Sequence, residues 1–183
     1  MAPVNQVYVL NLGFHMLDKA LQYATRAHDS DYLPHPIRVM VNLRDIGLVQ
    51  DEELLCAAYL HDTLEWGSGD LNEIKSEFGK RVASLVDQLT RTEPRNPEVF
   101  GKKELARIRH RLLLEDIDAM SEDAKQVKLA DRLANLNERI ENENPEKLPK
   151  YLSKTRDLLS HIDRSVNPAL WDAIERRVAE HSR

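Results

Sequence analysis

Residues 57–67, AAYLHDTLEWG, close an apolar run with His61, Asp62 and Glu65, three side chains that resist burial unless they have work or partners. His61 and Glu65 are four apart and would share a helical face. A second pair with the same spacing, Asp131 and Asn135, lies within VKLADRLANL, and His35 opens a further helix in PHPIRV. Two imidazoles and two carboxylates converging from three helices make a mixed nitrogen and oxygen site. Such a site suits Mn(II), Fe(II) or Zn(II) and leaves positions open for water. The apolar residues around Asp62 and Asp131 sharpen the question, because an isolated buried carboxylate costs several kcal/mol unless it is paired or bound to a cation. Lys128 or Arg132 could supply that pairing instead of a metal. A second His-Asp dipeptide, His28-Asp29, falls at a helix end and reads as a surface pair.

The elements that must position these groups are read from apolar period and punctuation. The segment 14–28 repeats apolar residues at Leu17, Leu21 and Ala24 and ends before the prolines of DSDYLPHP. Pro36 suits a first helical turn, and that helix runs to Gly47. Asp51 is placed to cap a third helix that continues through His61 to Glu65 and breaks at WGSG. Asp70 caps LNEIKSEFG, and a further helix follows with Val82, Leu85, Val86 and Leu89 on one side. Residues 91–101, RTEPRNPEVFG, form the longest connection and a candidate lid. Helices then span Lys102 to Ile117, the stretch after the cap Ser121, Pro145 to Asp163, and Pro168 to Glu180. VYVLNL near the start carries a weak β pattern, and no internal repeat is present. The expectation is an all-α bundle, with residues 1–183 forming one domain.

Composition removes several classes of function. The chain has 183 residues with a formal net charge of −5, so no global field would draw in nucleic acid. A small phosphorylated ligand is still compatible, since a cation and a few local bases can reverse the potential of one pocket. No segment reaches the ~20 apolar residues of a membrane span, and the first residues lack a secretory pattern, so the expected location is the cytoplasm. The single cysteine, Cys56 in ELLCAAYL, reads as a buried inert thiol. Nothing in the pattern sets an oligomeric state.

PHPIRV, AAYLHDTLE, DLNEIKSEFGKRVASLVDQLT and VKLADRLANL, in this order and at these separations, resemble the HD-superfamily hydrolase domain of the RelA/SpoT type. The similarity runs from Leu17 to the last helix, and the small stand-alone members of the group are the nearest in length. It implies an HD-superfamily helical bundle in which His35, His61, Asp62 and Asp131 hold a divalent metal, usually Mn(II), while Glu65 positions or activates water. It also implies that Thr90, Asn135, Lys147 and Tyr151 meet a nucleotide. The implied reaction removes the 3′-pyrophosphate from ppGpp or pppGpp. Two departures matter. Trp66 stands where such hydrolases carry a second acid, with Asp70 nearby as a substitute, and DSDYL lacks the basic residues that hold guanine in the group. Trp66 could face a base or cover the core. Two other outcomes therefore stay open: a hydrolase of another phosphorylated nucleotide, of the ppApp or NADPH 2′-phosphate kind, and a catalytically weak nucleotide-binding regulator.

Overall fold

The computed structural model describes residues 15–28, 31–142 and 146–182. Among them the regular structure is helical, with no strand, as the all-α reading expects. The helices are α1 (His15–Ala27), α2 (Pro34–Val41), α3 (Glu52–Leu60), α4 (Leu71–Leu89), α5 (Lys102–Ala119), α6 (Glu122–Asn142), α7 (Leu148–Ser160) and α8 (Pro168–Glu180). The β-like VYVLNL, Asp29 of the second His-Asp pair and the expected helix start at Pro145 lie outside the described residues. No described helix is long and apolar enough to cross a membrane.

Two helices form the centre. Every residue of α3 from Leu54 to Leu60 is buried, and α6 buries almost every residue from Val127 to Leu136. A helix that is covered all round must be packed on several sides. α3 lies against α1, α2, α4 and α6, and α6 also touches α7 and α8. Leu60, Leu129 and Leu136 are fully shielded from solvent in this shared core. Cutting one of them to alanine would cost about 2–5 kcal/mol.

Local chemistry sets the helix starts. Asp51 accepts from the backbone N–H groups of Glu53 and Leu54, Asp70 from that of Glu73, and Ser121 from that of Ala124, as expected from sequence. Gly79 breaks the 71–89 run into two helical pieces with φ +90°, a value a side chain would resist. The thiol of Cys56 is buried, and desolvation pushes its pKa up to about 12, so it is inert as expected.

The helix of His35 runs to Gly47 as expected, with its last turn widened, and one expectation about a helix boundary is corrected. α2 begins at Pro34, which puts His35 inside the first turn, and it ends at Val41 in a widened turn over residues 42–46. α3 stops at Leu60, so His61 caps its end and residues 61–66 form turns instead of further helix. Thr63 enforces that stop: its N–H and its hydroxyl both donate to the Leu60 carbonyl, at 3.0 and 2.7 Å. His61 and Glu65 therefore do not share a helical face. A turn also lets neighbours in sequence, His61 and Asp62, face the same point.

Candidate metal centre and its cleft

His35 on α2, His61 and Asp62 at the end of α3, and Asp131 on α6 meet in the space between three helices. Ligand-type atoms of His35, His61 and Asp62 all lie within 4.8 Å of one another. Asp131 joins them through Oδ1, which is 3.3 Å from His35 Nε2 and 3.8 Å from His61 Nε2. Asp62 Oδ2 is 3.2 Å from His61 Nε2 and 3.9 Å from His35 Nε2.

The two imidazoles are oriented from behind. His61 Nδ1 lies 2.9 Å from the Ala58 carbonyl, which can only accept, so the proton sits on Nδ1. His35 Nδ1 lies 3.3 Å from Glu138 Oε1, and Glu138 is itself held by Arg38 at 2.8 Å. A carboxylate behind a histidine fixes its tautomer and aims the other nitrogen. Both Nε2 atoms consequently point into the cluster.

His61 Nε2 decides whether a cation fits. It is shielded from solvent yet has no hydrogen-bond partner, and it faces two carboxylates. A lone pair aimed at two anions is unfavourable unless positive charge lies between them. Without a metal that charge has to be a proton. Burial works to lower the His61 pKa, but the Asp62 carboxylate 3.2 Å from Nε2, with Asp131 behind, outweighs it and pushes the pKa up to about 9. Burial likewise opposes charge on His35, and Asp131 outweighs it, so the His35 pKa is raised. Two nitrogens and two carboxylate oxygens therefore suit a divalent ion.

The carboxylates are also partly answered by protein. Lys128 is buried and its Nζ is 2.9 Å from Asp131 Oδ2, which resolves the choice between Lys128 and Arg132 as the partner of Asp131. Burial works against the Asp131 charge, but Lys128 and then the two histidines hold its pKa well below the usual carboxylate range. Asn135 donates to Asp131 Oδ1, and the Tyr32 hydroxyl donates to Asp62 Oδ2. Burial also opposes ionisation of Asp62, and the His61 charge overrides it to bring that pKa down. One buried ammonium against two carboxylates, Asp131 buried and Asp62 half-buried, leaves the cluster net negative while its histidines are neutral.

Glu65 sits on the same turn, close enough to Asp62 and Lys128 to feel their charge. Its Oε1 accepts the Arg91 backbone N–H at 2.5 Å, and Oε2 lies 3.7 Å from the Arg91 guanidinium. Burial raises the Glu65 pKa, and Arg91 only partly offsets that. This contact ties the turn to the start of the 91–101 connection. The connection is held further by Thr92 on Asp116 and by Glu93 on Arg109, at 2.7 and 2.9 Å between side chains.

A cleft of about 490 Å³ opens between α5, α6 and α7, and Arg91, Lys102, Arg109, Arg132, Arg139 and Lys154 all line it. Tyr151 forms part of its wall, with the guanidinium carbons of Arg132 and Arg139 lying 5.1 and 5.4 Å from its ring centre. Burial first, then the like charges of Lys150 and Arg132, lower the pKa of Lys154. So many cations on one wall give the cleft a positive potential that suits a small polyanion.

The residues expected at a nucleotide are thus spread out. Asn135 is on the metal cluster and Tyr151 is in the cationic cleft. Thr90 ends α4 with its hydroxyl spent on the Val86 carbonyl at 2.8 Å, directly before the cleft residue Arg91. Lys147 is exposed at the start of α7 and does not line this cleft. Asp70 is engaged in capping α4, which leaves its carboxylate a structural task, and Trp66 is 63% exposed, so it does not cover the core. Sequence reasoning missed Glu138, Tyr32 and the basic set of the cleft. Glu138 had one legible signal, since it falls seven residues after Asp131 on the same face of α6.

The chain matches the HD domain family over residues 14–164. It is 34% identical over 129 residues to the guanosine-3′,5′-bis(diphosphate) 3′-pyrophosphohydrolase of Aquifex aeolicus, covering 66% of this chain and 17% of that protein. It is 37% identical over 105 residues to the guanosine-3′,5′-bis(diphosphate) 3′-pyrophosphohydrolase MESH1 of Xenopus tropicalis, covering 57% of this chain and 54% of that one. Among solved structures it is similar to a metazoan ortholog of SpoT that hydrolyzes ppGpp and plays a role in starvation responses. There the TM-score is 0.74 at 26% identity, and 98% of each chain is covered. A GTP pyrophosphokinase of Brucella ovis, 31% identical, is matched over 96% of this chain but only 26% of its own length, so the chain spans about a quarter of that relative and 17% of the Aquifex one. The HD pair at the end of α3, the histidine of α2 and the aspartate of α6 thus sit in a sequence and a helical frame that agree, and the chain belongs to the HD-domain family.

Proposed function

We propose that residues 1–183 form one HD phosphohydrolase domain that removes the 3′-pyrophosphate from ppGpp or pppGpp, giving GDP or GTP and pyrophosphate, with Mn(II) as its metal and the cytoplasm as its location. The observation that carries this reading is the buried, unpartnered His61 Nε2 facing two carboxylates, on the turn that Glu65 ties to the cationic cleft. The names of the Aquifex and Xenopus relatives support the same substrate.

When bound, the metal supplies Lewis acidity, polarising a phosphoryl oxygen and acidifying water. His35, His61, Asp62 and Asp131 would hold it. The basic cleft binds the phosphates and lines the 3′-phosphorus up with the cluster. Tyr151 gives the sugar a flat wall, held rigid by the two guanidinium groups beside it. Glu65 receives the proton of the attacking water, and its raised pKa makes it a stronger base than an exposed glutamate. Water then adds to the phosphorus next to O3′, the bond between that phosphorus and O3′ breaks, and O3′ takes up a proton as pyrophosphate leaves.

The test is a panel of ppGpp, pppGpp, ppApp and NADPH incubated with the protein and Mn(II), read by released phosphate or pyrophosphate. Release of pyrophosphate from ppGpp, lost in His61→Ala together with the Mn(II)-dependent rise in melting temperature, is the expected result. Nucleotide binding without turnover would make the chain a regulator and overturn the hydrolase reading.

A further inference from the structure

Trp66 lies on the turn that carries His61, Asp62 and Glu65. Its backbone N–H donates to the Asp62 carbonyl at 3.0 Å, so the two residues are one turn of backbone apart. Among the described residues it is the exposed aromatic side chain, at 63%, whereas Phe78 and Tyr23 are buried and Trp171 packs on the core with its Nε1 donating to the Ile162 carbonyl. The Trp66 indole makes no hydrogen bond in the described structure. A single exposed apolar ring is ordinary on a protein surface, and what sets this one apart is its place on the turn that carries the cluster residues.

The turn is pinned against the end of α1. Ser68 N–H donates to the Ala27 carbonyl at 3.0 Å, and a Cβ on Gly67 would come within 2.8 Å of that same oxygen. Trp66 therefore stands beside the connection from α1 to α2, on a rigid support. The described part of that connection, His28, Asp31, Tyr32 and Leu33, carries no lysine or arginine, and burial lowers the pKa of its one histidine. The cations of the cleft come from Arg91 and from α5, α6 and α7. Phosphates and base of one nucleotide straddling the cluster are thereby given different surroundings: charge on one side, an open ring on the other.

We infer that Trp66 is the stacking face for the base of the substrate, and that it binds guanine and adenine about equally. The inference rests on the hydrolase reading above. A stacked aromatic grips any base through its π face, while discrimination between bases requires hydrogen bonds to their edges. An indole offers a surface and a single N–H donor, so it contributes affinity with little selectivity.

The test uses the full chain with Trp171→Phe, so that Trp66 is the sole emitter of indole fluorescence. Titration with ppGpp and with ppApp, in chelator to prevent turnover, is expected to quench the emission with half-saturation within about threefold of each other. Inorganic pyrophosphate is expected to compete without quenching. In steady state with Mn(II), Trp66→Ala is expected to raise KM roughly tenfold for both nucleotides, the size of one lost stacking contact, with kcat near wild type, and Trp66→Phe to recover most of the loss. A wild-type KM in Trp66→Ala, or a preference for guanine above tenfold, overturns the inference while leaving hydrolysis intact. Absence of turnover by the wild-type protein overturns the hydrolase reading instead, and the fluorescence titration still decides whether a base meets Trp66.

Discussion

At the scale of single residues, the centre depends on groups that never touch the cation they would serve. Glu138 holds His35 by Nδ1, and the Tyr32 hydroxyl holds Asp62 by Oδ2. Replacing such a supporting partner typically costs a site 10–100-fold in metal affinity. Glu138→Ala is expected to weaken Mn(II) by about that factor, read from the metal concentration that gives half of the full melting shift, with the metal-free melting temperature changed little. An unchanged midpoint would show that His35 is oriented by packing alone. Glu65 makes a different prediction, because it is assigned to proton transfer and not to the metal. Glu65→Gln keeps the neutral hydrogen-bonding shape, so the Mn(II) shift is expected to persist while kcat falls by about 10²–10⁴. Glu65, His61, Asp62 and Asp131 were legible in the sequence because polar groups inside apolar runs stand out. Tyr32 and Glu138 were not, since their partners lie 30 and 103 residues away and only folding brings them together.

At the scale of elements, helix starts were readable and helix ends were less so. A cap such as Asp51 works on N–H groups two and three residues ahead, so its signal is local. The end of α3 depends on Thr63 folding back to Leu60 and on the pressing of Gly67 against α1, which periodicity does not report. Asp51 also carries a tertiary tie: Arg81 of α4 reaches Asp51, Glu53 and Asp123 at 2.7–2.9 Å, joining the starts of α3 and α6. The hydrogen bond from Arg81 is the main cause of the lowered Asp51 pKa, with burial opposing it. A carboxylate with a depressed folded pKa adds stability above its unfolded value, near 3.8, and loses it as pH falls through the folded value. Arg81→Met is therefore expected to melt a few degrees below wild type at pH 7, roughly 2–4 °C for each kcal/mol lost in a chain of this size. The gap should narrow below about pH 4, where Asp51 takes up its proton in the variant and then in the wild type. A gap that stays constant from pH 7 to pH 3 would assign the loss to the arginine stem and its packing.

At the scale of the whole molecule, the net charge of −5 conceals a strong local reversal. Composition argues against a global field for a polyanion, but it could not reveal that Arg91, Lys102, Arg109, Arg132, Arg139 and Lys154 share one wall, because they come from four separate stretches of chain. Gathering like charges opposes folding, and binding an anion repays that repulsion. Lys154 records the strain: burial and then neighbouring cations depress its pKa, so its ammonium costs stability at neutral pH, a cost relieved as pH rises through the depressed value. Lys154→Gln is accordingly expected to raise the melting temperature of the ligand-free protein by roughly 1–2 °C at pH 7, an advantage that fades as pH approaches 10. The same substitution is expected to raise KM for a tetraphosphorylated nucleotide several-fold and to flatten its dependence on salt between about 0.05 and 0.5 M, where screening acts most on exposed charge. Stability and affinity should move in opposite directions only if the cleft is built for phosphate. A variant that lost both, or that kept the wild-type KM and salt dependence, would make the basic wall an ordinary solvated surface.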